Sequence, residues 1–393
     1  MRKRISLFIC CLLFVLFCGC EQQNKRDVLS LNNEITIAID SGIPVFNVNI
    51  DVEEQNIAQL LEMESFVKLS NDVVVGKIKR QLIADDRLYI WDAAHKIFCF
   101  DTNNGALLFT INSVGSGPYD YSAIHDIGLD REKKQILVYD SNKRRLFTYC
   151  SMKGNYLRNY ETSRIAPHCI AASKGIILLD NPNHYNFPDD PTMHYSLQLA
   201  ELESNIEVQR NYFSHDDISD YDLVFGGGHP FFYQNRGVFY NKRFDDYVYA
   251  IHGDSVSAQF RIVLDKALPH SLIKDKIQPH ELVRAPFSSM LSNIYSCDGI
   301  LYFTFTYDSF IYQALFDEQN GEQLYCDKMK TSFLNGSLFN WINGVTGDRF
   351  FALIDSYRLK EHSSSLNLGE IEEDGNPILF FYKAKDRHEL SSN

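Results

Sequence analysis

Short apolar segments separated by polar turns recur along most of this chain. The pattern is clearest in residues 82–111 and 128–160, where an apolar segment ends in an aspartate, Asp92 or Asp140. A polar turn, a second apolar segment and a glycine-containing turn follow in both regions. Apolar runs of this length between turn residues are typical of β-strands.

The spacing of these units predicts the architecture. Asp92 and Asp140 are 48 positions apart, which fits one four-stranded propeller blade together with its linker. We therefore predict an all-β fold, a six-bladed β-propeller of four-stranded antiparallel blades over residues 56–385. Weaker copies of the unit begin at residues 175–180 and occupy residues 237–264, 299–325 and, as two segments of a sixth unit, 348–355 and 376–384. The turn glycines of the repeat are Gly105, Gly154, Gly253 and Gly321.

Both ends of the predicted propeller have a defined role in closing the ring. An open stack of blades would leave sheet edges unpaired, which favours aggregation. We therefore expect the segment near residues 66–69 to pair with the C-terminal strands and complete their blade. The best helix candidate is short, about residues 56–63, and residues 386–393 are expected to form a C-terminal tail.

The glycine-rich stretch at residues 112–121, "NSVGSGPYDY", raises the question of a phosphate-binding loop. Gly115 and Gly117 match the first two glycines of G-x-G-x-x-G, but Asp120 occupies the third position. The residues that follow alternate like a strand, and the Lys-Ser/Thr pair of a P-loop is missing. We predict a connector between two blades, with an additional ligand role as the alternative.

The N-terminus reads as a targeting signal rather than as part of the fold. Arg2, Lys3 and Arg4 precede an apolar run that is shorter than a transmembrane helix requires. The run ends at Cys20 and resembles a bacterial lipoprotein signal, which implies acylation of that cysteine. A plain secretory signal cleaved nearby and an uncleaved anchor are the alternatives.

This resemblance divides the N-terminal region into two parts. Residues 1–19 would be the signal peptide, and residues 20–55 an anchor linker and lead-in to the propeller. Glu21 rather than an aspartate follows Cys20, which by the same resemblance argues against retention in the inner membrane. The implied location is the outer membrane of the cell envelope, on its periplasmic or its surface side.

The net charge and the cysteine spacing argue against two kinds of ligand, nucleic acid and zinc. The net charge of -13 disfavours nucleic acid, since an acidic chain repels phosphate backbones. The five cysteines after Cys20 form no C-x-x-C pair, so a zinc site is unsupported; we expect most to be buried, with one disulfide as the alternative. They are Cys99, Cys150, Cys169, Cys297 and Cys326.

Several stretches together carry a family resemblance. They include "VVGKIKRQLIADDRLYIWDAAHKIFCFDTNNGALLFTI", "ILVYDSNKRRLFTY" and "EIEEDGNPILFFYKAK". The chain resembles the six-bladed β-propeller lipoproteins of Bacteroides-type bacteria, distant relatives of NHL-repeat propellers. Its connector "GSGPYDY" departs from the family's G-x-G-P-G-E-Y at Tyr119 and Asp120. The resemblance implies a propeller and a lipid anchor but no established reaction, so it supplies no catalytic residue.

Two polar runs and one glycine-rich loop hold the candidate ligand or metal residues. Carboxylates and imidazoles in such numbers suit a Ca²⁺ site or an acid–base pair, although their spacing matches no EF-hand. Solvated acidic loops are the first interpretation of these runs, and a Ca²⁺ or ligand site and catalysis are the alternatives. The candidates are His184, Asp189, Asp190, His194, His215, Asp216, Asp217 and His229.

The sequence favours a binding protein over an enzyme. A rigid ring that presents variable loops suits recognition of a glycan, a peptide or another envelope protein. The second hypothesis is a hydrolase or lyase acting on a carbohydrate or lactone, with Ca²⁺ in the central channel. The third is a structural or regulatory interaction protein. Fold analogy alone supports each of them.

Overall fold

The computed structural model describes the chain in ten stretches: residues 34–52, 56–162, 167–181, 194–215, 228–274, 286–329, 332–334, 337–339, 341–360 and 368–385. Six sheets of antiparallel strands are arranged as the blades of a β-propeller, as the repeat predicts. No helix in these stretches is both long and apolar enough to cross a membrane.

The strands are numbered along the chain, beginning with two that precede the first blade. These are β1 (Val45–Asn47) and β2 (Leu61–Lys68), with a 3₁₀ turn at Ile57–Gln59 between them. Blade 1 contains β3 (Ile78–Ala84), β4 (Arg87–Asp92), β5 (Ile97–Asp101) and β6 (Leu107–Ile111). Blade 2 contains β7 (Asp126–Asp130), β8 (Gln135–Asp140), β9 (Arg145–Cys150) and β10 (Tyr156–Glu161). Blade 3 contains β11 (Cys169–Ser173), β12 (Ile176–Asp180), β13 (Tyr195–Leu202) and β14 (Ile206–Ser214).

The second half of the ring follows the same plan. Blade 4 contains β15 (Phe231–Tyr233), β16 (Val238–Tyr240), β17 (Tyr247–His252) and β18 (Ser255–Val263), followed by the short helix α1 (His270–Lys274). Blade 5 contains β19 (Ser289–Cys297), β20 (Ile300–Tyr307), β21 (Phe310–Asp317) and β22 (Gln323–Lys328). A hairpin of β23 (Ser332–Leu334) and β24 (Ser337–Phe339) precedes blade 6. Blade 6 contains β25 (Gly344–Thr346), β26 (Arg349–Ile354), the helix α2 (Ser356–Lys360) and β27 (Ile378–Ala384).

The ring closes through its two ends. Strand β2 pairs antiparallel with β27, from Leu61 opposite Ala384 to Lys68 opposite Ile378, so the expected pairing is confirmed. The predicted helix at residues 56–63 is wrong beyond its first turn. The free edge of β27 offers backbone partners from Leu61 onward, and pairing with it outweighs a one-turn helical preference.

The chain before β2 runs along the outer edges of three blades. The backbone N–H of Ile35 donates to the carbonyl of Asn211 in blade 3, and β1 adds to β18 of blade 4 as a parallel fifth strand. Asn49 and Gln323 of blade 5 exchange two hydrogen bonds of 2.8 and 2.9 Å. Phe46 is buried, so this segment packs against the propeller as well as pairing with it.

Asp92 and Asp140 have the same structural role in blades 1 and 2. Asp92 accepts hydrogen bonds from the backbone of its own turn and, through Oδ2, from Gly76 ahead of β3. Asp140 does the same, with Oδ2 accepting from Ser122 ahead of β7. Each carboxylate therefore ties a turn to the segment that enters the same blade, which explains why the residue recurs.

The core is made by aromatic and aliphatic side chains of the strands, and the cysteines belong to it. All five described cysteines are free thiols, and the disulfide alternative is therefore wrong for this chain. Four of them are buried, and burial raises the pKa of Cys99, Cys297 and Cys326 to about 12.

The propeller has two different faces. The innermost strands of the blades, β3, β7, β11, β15, β19 and β25, all begin at one face and end at the other. Where they end, the strands are joined by turns of two to five residues; we call this the turn face. Where they begin, the face carries short turns and also long connections, residues 215–230, 264–288 and 355–377; we call this the loop face.

Candidate functional site

A large cavity opens at the loop face of the central channel. Its volume is about 690 Å³, within the range of small-molecule sites, roughly 300–1,000 Å³. We call it the mouth, defined by Lys77, Lys79, Met290, Asn293, Trp341 and Asn343. A narrower cavity of about 170 Å³ continues from it into the channel.

A buried ion pair lies at the base of the mouth. Nη1 of Arg80, in β3, is 2.7 Å from Oδ1 of Asp126, at the start of β7. The same nitrogen donates to the carbonyls of Ile127 and Ile170. Oδ2 of Asp126 accepts from the backbone N–H of Ile170 at 2.6 Å. The pair therefore joins blades 1, 2 and 3 around the axis.

His229, just before β15, connects blade 4 to this ion pair. Its Nδ1 accepts from the backbone N–H of Phe231 at 3.1 Å, so Nε2 carries the hydrogen and donates to Oδ2 of Asp126 at 3.0 Å. Burial and the nearby Arg80 guanidinium lower the pKa of His229 and keep the ring neutral. We call Arg80, Asp126 and His229 the channel cluster.

The electrostatics of the channel cluster are dominated by Asp126. Burial by itself raises the pKa of this carboxyl, but Arg80 and His229 more than offset that effect and hold the pKa at about 2. Asp126 is therefore ionised at every physiological pH. A fully satisfied ionised group that ties four blades together has the properties of a structural brace.

Three side chains of this region could in principle ligate a metal. Asp126, Cys169 and His229 each place one ligand atom within 4.8 Å of the other two. Both oxygens of Asp126 already accept hydrogen bonds, and burial raises the pKa of the Cys169 thiol well above its usual range. Ca²⁺ takes six to eight oxygen ligands, which this set does not offer. The predicted Ca²⁺ thus stays a prediction for other parts of the chain.

Strand β19 is distorted where it lines the mouth. Its pairing with β20 shifts register twice, between Ser289 and Ser292 and between Ser292 and Tyr295. Met290 and Asn293 have positive φ values of 59° and 50°. β-Bulges re-aim side chains and occur often next to functional sites, and a left-handed methionine is a strained conformation. The distortion presents both side chains to the cavity.

A close backbone approach fixes the neighbouring wall. A Cβ atom added to Gly228 would lie 2.0 Å from Oγ of Ser292. Gly228 therefore lets the segment that carries His229 pass close to β19 in the present Ser292 rotamer. The other glycines of that loop lie outside the described residues.

The channel is crossed at its turn-face end. Arg131 donates to the carbonyl of Gln234 in blade 4 at 2.6 Å and to that of Ile83 in blade 1 at 3.0 Å. Its guanidinium also stacks over the ring of Tyr233, 5.6 Å from the centroid. These contacts brace the far end of the channel, so the open approach is from the loop face.

The eight residues predicted as a ligand or metal set do not come together among those described. His229 lies in the channel cluster. His194 is exposed just before β13, where its carbonyl accepts from the backbone N–H of His215 at 2.9 Å. Neither of those two histidines lines the mouth. Outside the described residues lie Cys20, His184, Asp189, Asp190, Asp216 and Asp217.

The glycine-rich stretch at residues 112–121 is a connector between blades 1 and 2, as predicted. Its turn is organised around the Lys143 ammonium, which donates to the carbonyls of Gly115, Gly117 and Asp120 at 3.0, 3.1 and 2.6 Å. A Cβ on either glycine would meet Oδ2 of Asp120 at 2.7 Å or less. A lysine of the protein fills the loop, which leaves no phosphate-binding function for it.

Sequence reasoning missed most of the site. Lys77 and Lys79 flank Ile78 where the chain enters β3, and this short polar–apolar–polar pattern is a signal of one exposed side. Arg80 and Asp126 gave no such signal, because a charged residue in one strand does not reveal its partner on another blade.

Comparison with known proteins places the chain in a family. The model described as "Domain of unknown function (DUF4934)" matches residues 43–383, so the chain belongs to this family. A search of curated proteins found no match.

Solved structures share the fold. The structure of the "Putative exported protein" of Bacteroides fragilis aligns with a TM-score of 0.68 at 17% identity, covering 87% of this chain and 99% of that one. A member of the DUF4221 family from Bacteroides vulgatus aligns with a TM-score of 0.47 at 14% identity, covering 84% and 99%. The first similarity supports the propeller fold, and the second is too weak to carry an argument.

Proposed function

We propose that this member of the DUF4934 family is a binding protein that holds its ligand in the loop-face mouth. The observation that carries the proposal is the cavity of about 690 Å³ at the channel entrance, together with the double bulge of β19 that turns Met290 and Asn293 toward it. Strained backbone of this kind persists where the surrounding structure imposes it, and it clusters at ligand sites.

The state of His229 favours binding over catalysis. A general base needs a ring nitrogen within reach of the substrate proton. Both nitrogens of His229 are already engaged, Nδ1 with Phe231 and Nε2 with Asp126. Its lowered pKa serves the brace rather than a proton transfer.

The cell envelope is the proposed location. The charged and apolar N-terminus ending at Cys20 supports export and lipid anchoring. The fold similarity to a Bacteroides protein described as exported agrees with it. The ligand would then be a glycan, a peptide or an envelope protein met outside the cytoplasm.

A thermal-shift screen of the purified protein against saccharides, peptides and Ca²⁺, with and without chelator, tests this function. A ligand at 100 times its dissociation constant should stabilise the fold by about 2.7 kcal/mol. The shift should be lost in Trp341→Ala and kept in Lys153→Ala, a change in an exposed turn at the opposite face. A ligand whose shift survives Trp341→Ala would place the site elsewhere.

A further inference from the structure

The charge of the mouth differs from that of the whole protein. The chain carries a net charge of -13. Among the described residues, the mouth and channel are nevertheless lined by four cationic side chains, Lys77, Lys79, Arg80 and Arg131, and by one carboxylate, Asp355. Asp126 neutralises the charge of Arg80, so the described lining keeps a net positive charge. A cavity lined by charges of one sign attracts ligands of the opposite charge.

Two of these cations are available to a ligand. Lys77 and Lys79 are exposed, and neither has a carboxylate within ion-pair distance among the described residues. Lys266 and Lys383, by contrast, lie 2.9 and 2.6 Å from carboxylates. Lys77 lies just ahead of β3 and Lys79 within it, and both line the mouth.

The segment that enters blade 6 supplies a group of a different kind. Trp341 is 36% exposed at the mouth, which Ile311 and Met329 also line. An indole ring offers a flat apolar surface on which the C–H face of a sugar ring packs, and its edge offers a polar N–H.

Amide and hydroxyl groups also line the mouth. Nδ2 of Asn293 donates to Oγ1 of Thr304 at 3.0 Å, and Oδ1 of Asn343 accepts from the backbone N–H of Leu353 at 2.7 Å. These bonds fix the orientation of both amides. Oriented amides are preorganised hydrogen-bond partners for hydroxyl groups.

We infer that the mouth binds an acidic saccharide, a hydroxyl-rich ring that carries a carboxylate or a sulfate. Lys77 and Lys79 bind the anionic group, Asn293 and Asn343 bind hydroxyls, and Trp341 packs against the ring. This inference rests on the proposed function and names the ligand class for the same site. A peptide would call for an unpaired strand edge or a continuous apolar groove, whereas the mouth is lined by ammonium, amide and hydroxyl groups together with one indole ring.

Calorimetry at low salt tests the ligand class with defined probes. The probes are a galacturonate trisaccharide, a heparin tetrasaccharide, neutral maltotriose and a tetraglutamate peptide. We expect one or both acidic saccharides to bind, and the carboxylate and sulfate arms identify which anion is preferred. Binding should weaken as salt rises, because exposed charges are screened.

Variants assign the effect to the mouth. Lys79→Ala should weaken the binding of the acidic saccharide about tenfold, the size of one lost charge-assisted hydrogen bond. Lys153→Ala removes an exposed lysine of the turn face and should leave the affinity unchanged. Equal unfolding temperatures of both variants and the wild type would show that the loss is local.

Three results would overturn the inference. They are equal binding of maltotriose, binding of tetraglutamate as tight as that of the saccharides, and no binding of either acidic saccharide at millimolar concentration. In the first two cases, loss of binding in Trp341→Ala would leave the proposed function standing. In the third case, the thermal-shift screen with Trp341→Ala and Lys153→Ala would decide whether the proposed function stands.

Discussion

The turn face and the loop face are built from the same six blades but obey different constraints. On the turn face, tight turns are held by positive-φ residues such as Gly105, Gly154 and Gly321. On the loop face, the positive-φ residues that line the mouth are Met290 and Asn293, in a strand with two bulges. A glycine adopts a positive φ without strain, whereas a methionine with a positive φ has a strained backbone.

The difference separates stability from recognition. The turn face and the channel cluster hold the ring together, since their contacts join one blade to the next. The mouth contributes less to that framework: Lys77, Lys79 and Trp341 are exposed side chains at its rim. Substitutions should therefore affect either unfolding or binding, depending on the region in which they fall.

The largest loss of stability should follow from Arg80→Met. Removing one partner of a buried ion pair leaves the other charge uncompensated, and we expect the free energy of unfolding to fall by about 3 kcal/mol. Arg210→Met is the matched control, because it also breaks a contact between blades, the 2.5 Å pair with Asp254, but at an exposed site. Its loss should stay below about 1 kcal/mol. Equal losses in urea unfolding would contradict the role of the brace.

Two glycines of the turn face should differ from each other. Gly105→Ala would place a Cβ 1.9 Å from the carbonyl oxygen of Lys68, at the end of the closing strand β2, in a residue with φ of 76°. Gly347→Ala has a comparable φ of 61° but open space around the new atom. We expect losses of about 2–3 kcal/mol and about 1 kcal/mol, respectively, by thermal unfolding. A larger loss for Gly347→Ala would show that the blade contact is unimportant.

The pH dependence of unfolding should report the channel cluster. The pKa of Asp126 is about 2 in the folded protein, below its ordinary value of 3.8. The ionised carboxylate therefore stabilises the fold fully above about pH 4, and this stabilisation is lost as the pH falls toward 2. The contribution is roughly 2 kcal/mol. Unfolding measured at pH 5 and pH 2.5 should show a smaller drop for Asp126→Asn than for the wild type; equal drops would refute the assignment.

The smallest effect on stability should come from the mouth itself. Lys79→Ala removes a side chain that makes no ion pair among the described residues, and its free energy of unfolding should stay within about 0.5 kcal/mol of the wild type. Urea unfolding checks this directly. A loss comparable to that of Gly105→Ala would mean that the rim is part of the framework, and the division between the two faces would fail.

The sequence predicted the framework far better than the site, for a physical reason. Asp92 and Asp140 repeat because they cap the same turn in each blade, and Gly105 and Gly321 repeat because their turns require a left-handed residue. Such local constraints leave a periodic trace. The ion pair of Arg80 with Asp126 spans 46 positions and two blades, and Lys79 and Trp341 come from the first and last blades of the chain, which the closed ring makes neighbours. Contacts of that kind follow from closure, which no local pattern encodes.

Fluorescence of Trp341 tests the central claim, that the loop-face mouth is the binding site, most directly. The chain has two tryptophans, and Trp91 is buried in blade 1, so a Trp91→Phe variant reports on Trp341 alone. Titration with the galacturonate trisaccharide or the heparin tetrasaccharide should change its emission saturably and protect it from iodide quenching. Adding Lys79→Ala should shift the midpoint about tenfold. Two results would contradict the account. One is binding by calorimetry without a change in Trp341 emission, and the other is an affinity that Lys79→Ala leaves unchanged.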